Sequence, residues 1–405
     1  MAARLRQEDV ARQLGISRSA VVHIEAGRRG VSGLELERLA EIYGRDMSDF
    51  FAESYSAHDG VAAFFRLHPK LAGHEPAANA LREAVTLGRA ITGLERLLGL
   101  DRDLASIAHY AQPHPRGKWD AVRQGEAVAD QERRRLGLGD QPLPDLVELL
   151  ERQGVRSADC ELPDGVSGLT LVDPALGALV LVNAGEVPNK RRFSYAHEYA
   201  HVLLDREKRG VMSRLEERRS LPEVRANAFA ASFLMPREGA RQFVRSLAKG
   251  MDSRERVELR EELGKPVSRV EGRPSPGSQA LQTYDAALVA HHFGVSRVTA
   301  IYRMRNLRLI RQKDMERLLE QERDGAGSRV ARLLGLAAPD PAPADQGFRW
   351  RFLSLGIEAL RREEISRAKL NELSRLIGMD ASELEEILTA CGLAQPTVDA
   401  LGPHH

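Results

Sequence analysis

The chain has 405 residues, of which 42% are hydrophobic and 29% charged, a balance that excludes wholesale disorder and predicts two to three domains with ample core. With 59 Lys and Arg against 58 Asp and Glu, the formal charge of +1 excludes a polybasic nucleic-acid coat. Two distant cysteines, Cys160 and Cys391, exclude a cysteine zinc cluster and a disulfide scaffold, and with no 18-residue apolar run and no apolar signal core the expected location is the cytoplasm, away from membranes.

In residues 1–51, Val10, Ala11 and Leu14 recur at helical spacing and stop at Gly15. Ser17 caps a second helix that ends at Gly27, and Leu34, Leu36, Leu39, Ala40 and Ile42 form a third that ends at Gly44. Helix, glycine turn, helix is the helix-turn-helix pattern. Residues 52–139 read as a helical connecting region, broken at Pro69, at Glu75-Pro76 and at the Pro/Gly stretch Tyr110–Trp119.

Residues 140–262 form a separate expected domain. It starts with a helix at Asp145–Gln153 and changes texture at Gly154. Gly168–Val172 and Ala178–Asn183 are short apolar runs bounded by Pro, Gly and Asp, which predicts strands. Helices follow at Pro188–Leu204 and Leu221–Leu234, the second stopping before Pro236. The Pro/Gly/Ser-rich residues 263–280 predict a linker. Residues 281–335 predict a helix-turn-helix-like unit, in which Val289-Ala290 and Phe293-Gly294-Val295-Ser296-Arg297 repeat Val10-Ala11 and Leu14-Gly15-Ile16-Ser17-Arg18; Leu376–Ser382 is a fainter third case. Beyond the break at Leu336–Asp345, residues 346–405 form a helical C-terminal region. The fold class expected is α+β, mostly α with a small β-sheet.

The strongest chemical signal is His197-Glu198-Tyr199-Ala200-His201. Histidines at i and i+4 lie on one helical face, so two imidazoles reach one zinc ion, while Glu198 projects beside them as general base toward water. Phe193, Ala196, Ala200, Leu203 and Leu204 give this helix a buried stripe. A hydrolytic zinc site needs a third protein ligand. Glu223, at the start of the next helix, can point into the site. Asn227, one turn later on the same face, can hydrogen-bond a ligand histidine, and Ala226 and Ala230 permit close packing of the two helices. Glu216 and Glu217 compete as ligands but sit in a charged run that reads as a solvated face. Tyr195, Tyr284 and His291 or His292 are candidates for stabilising an oxyanion, and the strand Ala178–Asn183 for aligning an extended substrate by edge pairing.

The segment Arg192-Phe193-Ser194-Tyr195-Ala196-His197-Glu198-Tyr199-Ala200-His201-Val202-Leu203-Leu204, followed by Glu223-x-x-Ala226-Asn227-x-Phe229-Ala230-Ala231-x-x-Leu234-Met235-Pro236, resembles the ImmA/IrrE family of bacterial metallopeptidases. The resemblance covers about residues 140–312. It implies a gluzincin-like zinc peptidase domain with His197, His201 and Glu223 as metal ligands and Glu198 as base; manganese is the alternative metal. It also implies a regulatory task, the cleavage of a helix-turn-helix repressor that controls stress or mobile-element genes. Arg225 departs from the family pattern, in which an acidic residue is common at that position, and it lies off the ligand face.

Residues 5–51 resemble the XRE (Cro/repressor-like) helix-turn-helix family through Gln7-Glu8-x-Val10-Ala11, Leu14-Gly15-Ile16-Ser17, Ile24-Glu25-x-Gly27-Arg28-Arg29 and Leu34-x-Leu36. That family's pattern begins with a full helix ahead of the Gln7 turn, where this chain has six residues. The resemblance implies that Ser17, Arg18, Ser19 and His23 face the major groove with Gln7, that Arg28 and Arg29 meet phosphate, and that the protein can dimerise on half-sites. Charge agrees: residues 1–30 hold six Arg and three acids, residues 31–51 two Arg and five acids. A second basic stretch at residues 297–313 (Arg297, Arg303, Arg305, Arg308, Arg311, Lys313) contacts DNA or an acidic substrate segment. Two functions fit the whole: a peptidase coupled to DNA binding, or an antitoxin-like regulator whose metal domain senses or stabilises without proteolysis.

Overall fold

The computed structural model describes residues 7–25, 28–43, 68–100, 107–173, 176–206, 210–214, 217–249, 255–260, 266–272, 279–336 and 344–393. They divide into two compact units, residues 1–75 and 76–405. The architecture is α+β, helical with a small four-stranded sheet. No described helix is long and apolar enough to cross a membrane.

In the first unit, α1 (Gln7–Leu14), α2 (Arg18–Glu25) and α3 (Gly33–Tyr43) pack Val10, Ala11, Leu14, Val21 and Leu39 into a small core, with Ile16 and Ile42 against it. The turn between α1 and α2 places Gly15 at φ 69°, and the Ser17 hydroxyl accepts from the Ala20 amide at 3.2 Å to cap α2. A one-turn helix, α4 (Pro69–Ala72), closes the described part of this unit.

The second unit begins with α5 (Glu75–Leu97), α6 (Lys118–Arg135) and α7 (Leu146–Arg152). The sheet follows: β1 (Val155–Cys160), β2 (Val166–Asp173), β3 (Gly177–Asn183) and, after α8 (Pro188–Leu204), β4 (Gly210–Arg214). Its order is β1-β3-β2-β4, with β1 parallel to β3 and the other pairs antiparallel. β3 is central, buried from Gly177 to Val182, which explains its unbroken apolar run. This corrects the expectation that β3 aligns substrate at an open edge, since both its sides are paired; the outer side of β4 is the edge nearest β2.

Next come α9 (Leu221–Leu234) and α10 (Arg237–Ser246). α8 packs on β2 and β3, and α9 lies between α8 and α6. The α6–α9 approach is close at Gly125, where a Cβ would stand 2.3 Å from the Arg225 carbonyl oxygen and 2.8 Å from the Phe229 nitrogen. Phe229 and Phe233 stack at 5.2 Å and meet Tyr199 of α8.

Residues 263–280 do not form a bare linker. Residues Pro266–Gly272 are a strand, β6, paired antiparallel with β5 (Glu255–Arg260). Four helices follow: α11 (Thr283–Phe293), α12 (Arg297–Asn306), α13 (Gln312–Arg323) and α14 (Ala326–Leu333). α11 and α12 meet at Gly294 and Ser296 in a helix-turn-helix corner, but Val289, Phe293, Ile301, Met304 and Leu318 belong to the same hydrophobic core as β3, α8 and α9. The chain ends in α15 (Ala344–Arg361), packed on β1, then α16 (Arg367–Ser374) and α17 (Ala381–Ala390).

Candidate metal centre and helix-turn-helix face

Helix α8 starts at Pro188, whose fixed φ suits a first helical turn, and is buried at every residue from Ser194 to Leu204. Polar side chains on so buried a helix must be satisfied by one another or by a ligand. His197 Nε2 lies 3.0 Å from Glu223 Oε2, His201 Nε2 lies 3.3 Å from Glu223 Oε1, and the two Nε2 atoms are 3.2 Å apart. α9 delivers Glu223 from its first turn, behind Pro222.

These spacings suit an ion. Zinc bonds of about 2.0–2.1 Å in a tetrahedron separate neighbouring donors by about 3.3 Å. His197, His201 and Glu223 form the one His/Cys/Asp/Glu group among the described residues with metal-holding proximity. The remaining ring nitrogens are held from behind: His197 Nδ1 by Asn227 Oδ1 at 3.1 Å and His201 Nδ1 by Asp205 Oδ2 at 2.9 Å. Oxygen partners accept from Nδ1–H, so Nε2 is the atom of each ring turned toward Glu223, and it offers a lone pair to an ion when its proton leaves.

Glu198 has no exposed surface. Its Oε2 accepts from the Thr170 hydroxyl at 2.7 Å, while Oε1 is buried without a hydrogen-bond partner. Burial pushes its carboxyl up, against the pull of His201, His197, Ser213 and Thr170. Burial opposes charge on His201, but hydrogen bonds to Asp205 and Glu223 hold its imidazole up at about 10. Burial likewise opposes charge on Glu223, yet His197 and His201 keep its carboxyl well below the ordinary range. Three buried carboxylates, Glu198, Glu223 and Asp205, therefore surround two imidazoles, a donor set that calls for a cation.

The structure thus brings together His197, Glu198, His201, Glu223 and Asn227. Other expectations are corrected. The Tyr195 hydroxyl is buried and donates to Asp159 at 2.8 Å, so it is spent on structure, and Tyr284 is an exposed residue near the start of α11. His292 stacks on Phe243 at 4.0 Å. Glu217 pairs with Arg214 at 3.6 Å, half-exposed, and Glu216 lies outside the described residues. The basic stretch is no continuous free face: Arg303 is buried, bonded to Glu126 and to the Met235 carbonyl, and Arg297 pairs with Glu322 at 2.7 Å. Sequence reasoning missed Thr170 and Asp205, and it set aside Arg225, which pairs with Asp205 at 2.8 Å. An acid one turn beyond the second histidine was the available signal for Asp205.

On the first unit, Ser17, Arg18, Ser19, His23, Arg28 and Arg29 are all exposed and Gln7 is half-buried. Ser17 and Ser19 hydroxyls lie 2.9 Å apart at the start of α2. Acids engage several of these groups: the Gln7 amide donates to Glu25 at 2.6 Å, Arg18 approaches Glu8 at 3.5 Å, and Arg29 pairs with Glu35 at 2.7 Å. The His23 carbonyl accepts from the Arg28 and Arg29 amides at 2.8 and 3.2 Å, tying the basic pair to the end of α2.

Residues 1–49 match the family model of a helix-turn-helix domain, and residues 150–271, from the end of α7 through the β5–β6 hairpin, match that of the IrrE N-terminal-like domain. No curated protein matches the chain.

Proposed function

We propose, for a chain whose residues 150–271 belong to the ImmA/IrrE family and whose residues 1–49 are a helix-turn-helix domain, that it is a zinc-dependent endopeptidase coupled to DNA binding, which cleaves a helix-turn-helix repressor and so controls stress or mobile-element genes. The observation that carries this reading is the buried Glu198 Oε1, without a partner, beside the His197–His201–Glu223 cluster.

Held by those three residues, zinc supplies Lewis-acid polarisation of a carbonyl and acidification of water. The chain supplies the rest. Thr170 occupies Glu198 Oε2, so Oε1 is the oxygen left to take the proton of the attacking water and return it to the departing amine. Asn227 and Asp205 fix the imidazole planes. An extended substrate pairs along the outer side of β4, the sheet edge next to the strand that carries Thr170. Ser17, Arg18, Ser19 and His23, with Gln7, enter the major groove, and Arg28 and Arg29 meet phosphate. The helix-turn-helix domain also makes a homodimer on half-sites the natural bound form, and the expected setting is cytoplasmic.

The test is Glu198→Gln in the full-length protein, assayed against helix-turn-helix repressors from the same genome. The expected variant keeps its metal, with zinc and manganese both measured, and loses cleavage. Persistent cleavage overturns the catalytic assignment. A wild type that cleaves nothing, but whose DNA affinity shifts when metal is removed, establishes the regulator reading instead.

A further inference from the structure

We propose that Arg225 is a positioning residue of the metal centre: through Asp205 it sets the orientation of the ligand His201. This rests on the metal reading above.

Two residues along a helix turn its direction by about 200°. Arg225 therefore leaves α9 on a different side from the ligand Glu223. The return path comes from the neighbouring helix. Asp205 ends α8 one turn beyond His201, and its own amide bonds the His201 carbonyl at 2.9 Å. Its two carboxylate oxygens face different residues. Oδ2 faces His201 Nδ1 at 2.9 Å, and Oδ1 accepts from Arg225 Nη2 at 2.8 Å. All three side chains are buried, so no solvent substitutes for either bond. The other terminal nitrogen, Arg225 Nη1, reaches Gln124 Oε1 of α6 at 3.3 Å. The guanidinium is thus fixed from two helices before it touches Asp205.

The electrostatics explain why a cation is needed there. Asp205 is buried on the same helix face as a site that already holds Glu198 and Glu223. Arg225 places a buried guanidinium directly on that carboxylate, opposite the oxygen that faces the imidazole. Neutralised on Oδ1, it can hold His201 by Oδ2 as an acceptor, which fixes the Nδ1–H tautomer and keeps Nε2 as the metal-facing atom. α9 thereby supplies a metal ligand at Glu223 and the anchor for a second ligand's support two residues later.

The experiment measures zinc affinity of the full-length protein by competition with a chromophoric chelator, together with the melting temperature of the metal-free form. The variants are Arg225→Met, Arg225→Lys, Asp205→Asn and the double variant Asp205→Asn/Arg225→Met. R225M and D205N are each expected to weaken zinc binding by about 10- to 100-fold. R225K, which keeps one charged donor for Asp205, recovers most of the loss. The double variant binds no more weakly than D205N alone, because Arg225 acts through Asp205. It also removes both buried charges at once, so it carries the comparison if R225M does not fold. Zinc affinity of R225M within twofold of wild type overturns the inference, as does a double variant whose losses multiply. A lower melting temperature with unchanged affinity shows a structural role only and overturns it too. A wild type that binds no zinc overturns the metal reading and this inference together; a wild type that binds zinc as tightly as R225M overturns this inference alone.

Discussion

Gly168 of β2 lies directly against the Glu198 side chain: a Cβ built at residue 168 would stand 2.8 Å from Oε1, 2.9 Å from Cγ and 3.0 Å from Cδ. Glu198 has no exposed surface, so it has no path of retreat into solvent. Gly168→Ala therefore displaces the carboxylate and strains the bond from Thr170. The metal ligands leave α8 at His197 and His201 and α9 at Glu223, and none of them supplies an atom among the three nearest to the added methyl group. The expected outcome is a loss of cleavage of about 100-fold, the scale of an ångström-sized misplacement, with zinc content unchanged. Cleavage within twofold of wild type in a zinc-loaded G168A protein would remove Gly168 from the site.

Behind the same helix, Glu132 of α6 is fully buried and accepts from the Tyr110 hydroxyl at 2.8 Å, from the Tyr199 hydroxyl and from Arg135 at 2.6 Å. Tyr199 stands between the two histidines in sequence, so this cluster braces the helix that presents them. Glu132→Ala leaves these donors facing an apolar cavity and is expected to cost about 3 kcal/mol, read as a lowered urea midpoint. The sign with pH follows from its carboxyl. Burial raises it, but the bonds from Arg135, Tyr199 and Tyr110 outweigh burial and hold it low. Its contribution is therefore complete above the ordinary carboxylate range and is lost as pH falls through the lowered value. A deficit in E132A that stays constant from neutral pH into strong acid contradicts this.

The parts of the fold legible in the sequence were those governed by local chemistry. α8 and α9 begin and end where Pro188, Leu204, Leu221 and Pro236 indicate, and the central strand reads as an apolar run. The two histidines and the base are set by spacing along one helix, so they too were readable. What escaped depended on partners distant in the chain. β1 has the sequence VRSADC, and its buried Arg156 pairs with Glu95 at 3.0 Å and donates to the Thr92 hydroxyl and the Leu176 carbonyl, while Arg351 binds the same Glu95 carboxylate. Arg303 reads as a surface charge until Glu126 of α6 is placed against it. The β5–β6 hairpin hides in a Pro/Gly/Ser composition because Pro266 stands at the start of its strand, where a missing amide is tolerated.

On the helix-turn-helix face, phosphate contacts and groove contacts separate by their salt response. Each phosphate neutralised contributes a slope of about −0.9 to the dependence of log affinity on log salt. Arg28→Ala is expected to weaken binding about equally on all DNA sequences and to reduce that slope by about 1. Glu8→Gln releases Arg18 from its acidic neighbour and is expected to strengthen binding, most at low salt. Fluorescence anisotropy between 50 and 200 mM salt, concentrations of about the range in which such slopes are read, measures both. An R28A slope equal to that of wild type removes Arg28 from the phosphate contacts.

Glu151, half-buried at the end of α7, supplies a pH dependence remote from the metal centre. Burial pushes its carboxyl up to about 7, with Arg351 pulling it down and Asp145 and Glu148 adding to the rise. The folded protein thus keeps this proton to about pH 7, whereas the unfolded chain releases it near the ordinary value of 4.5. Between those limits the folded state binds more protons, so stability falls as pH rises. The contribution is complete below the unfolded value and gone above pH 7, where a carboxylate sits half out of water. Glu151→Gln keeps the shape and removes the charge. It should melt with wild type at pH 4 and a few degrees, about 2 °C or more, above it at pH 8, a modest effect because the group is partly solvated. A melting difference that is the same at both pH values would place the cause in packing and leave the carboxyl of Glu151 without a part in it.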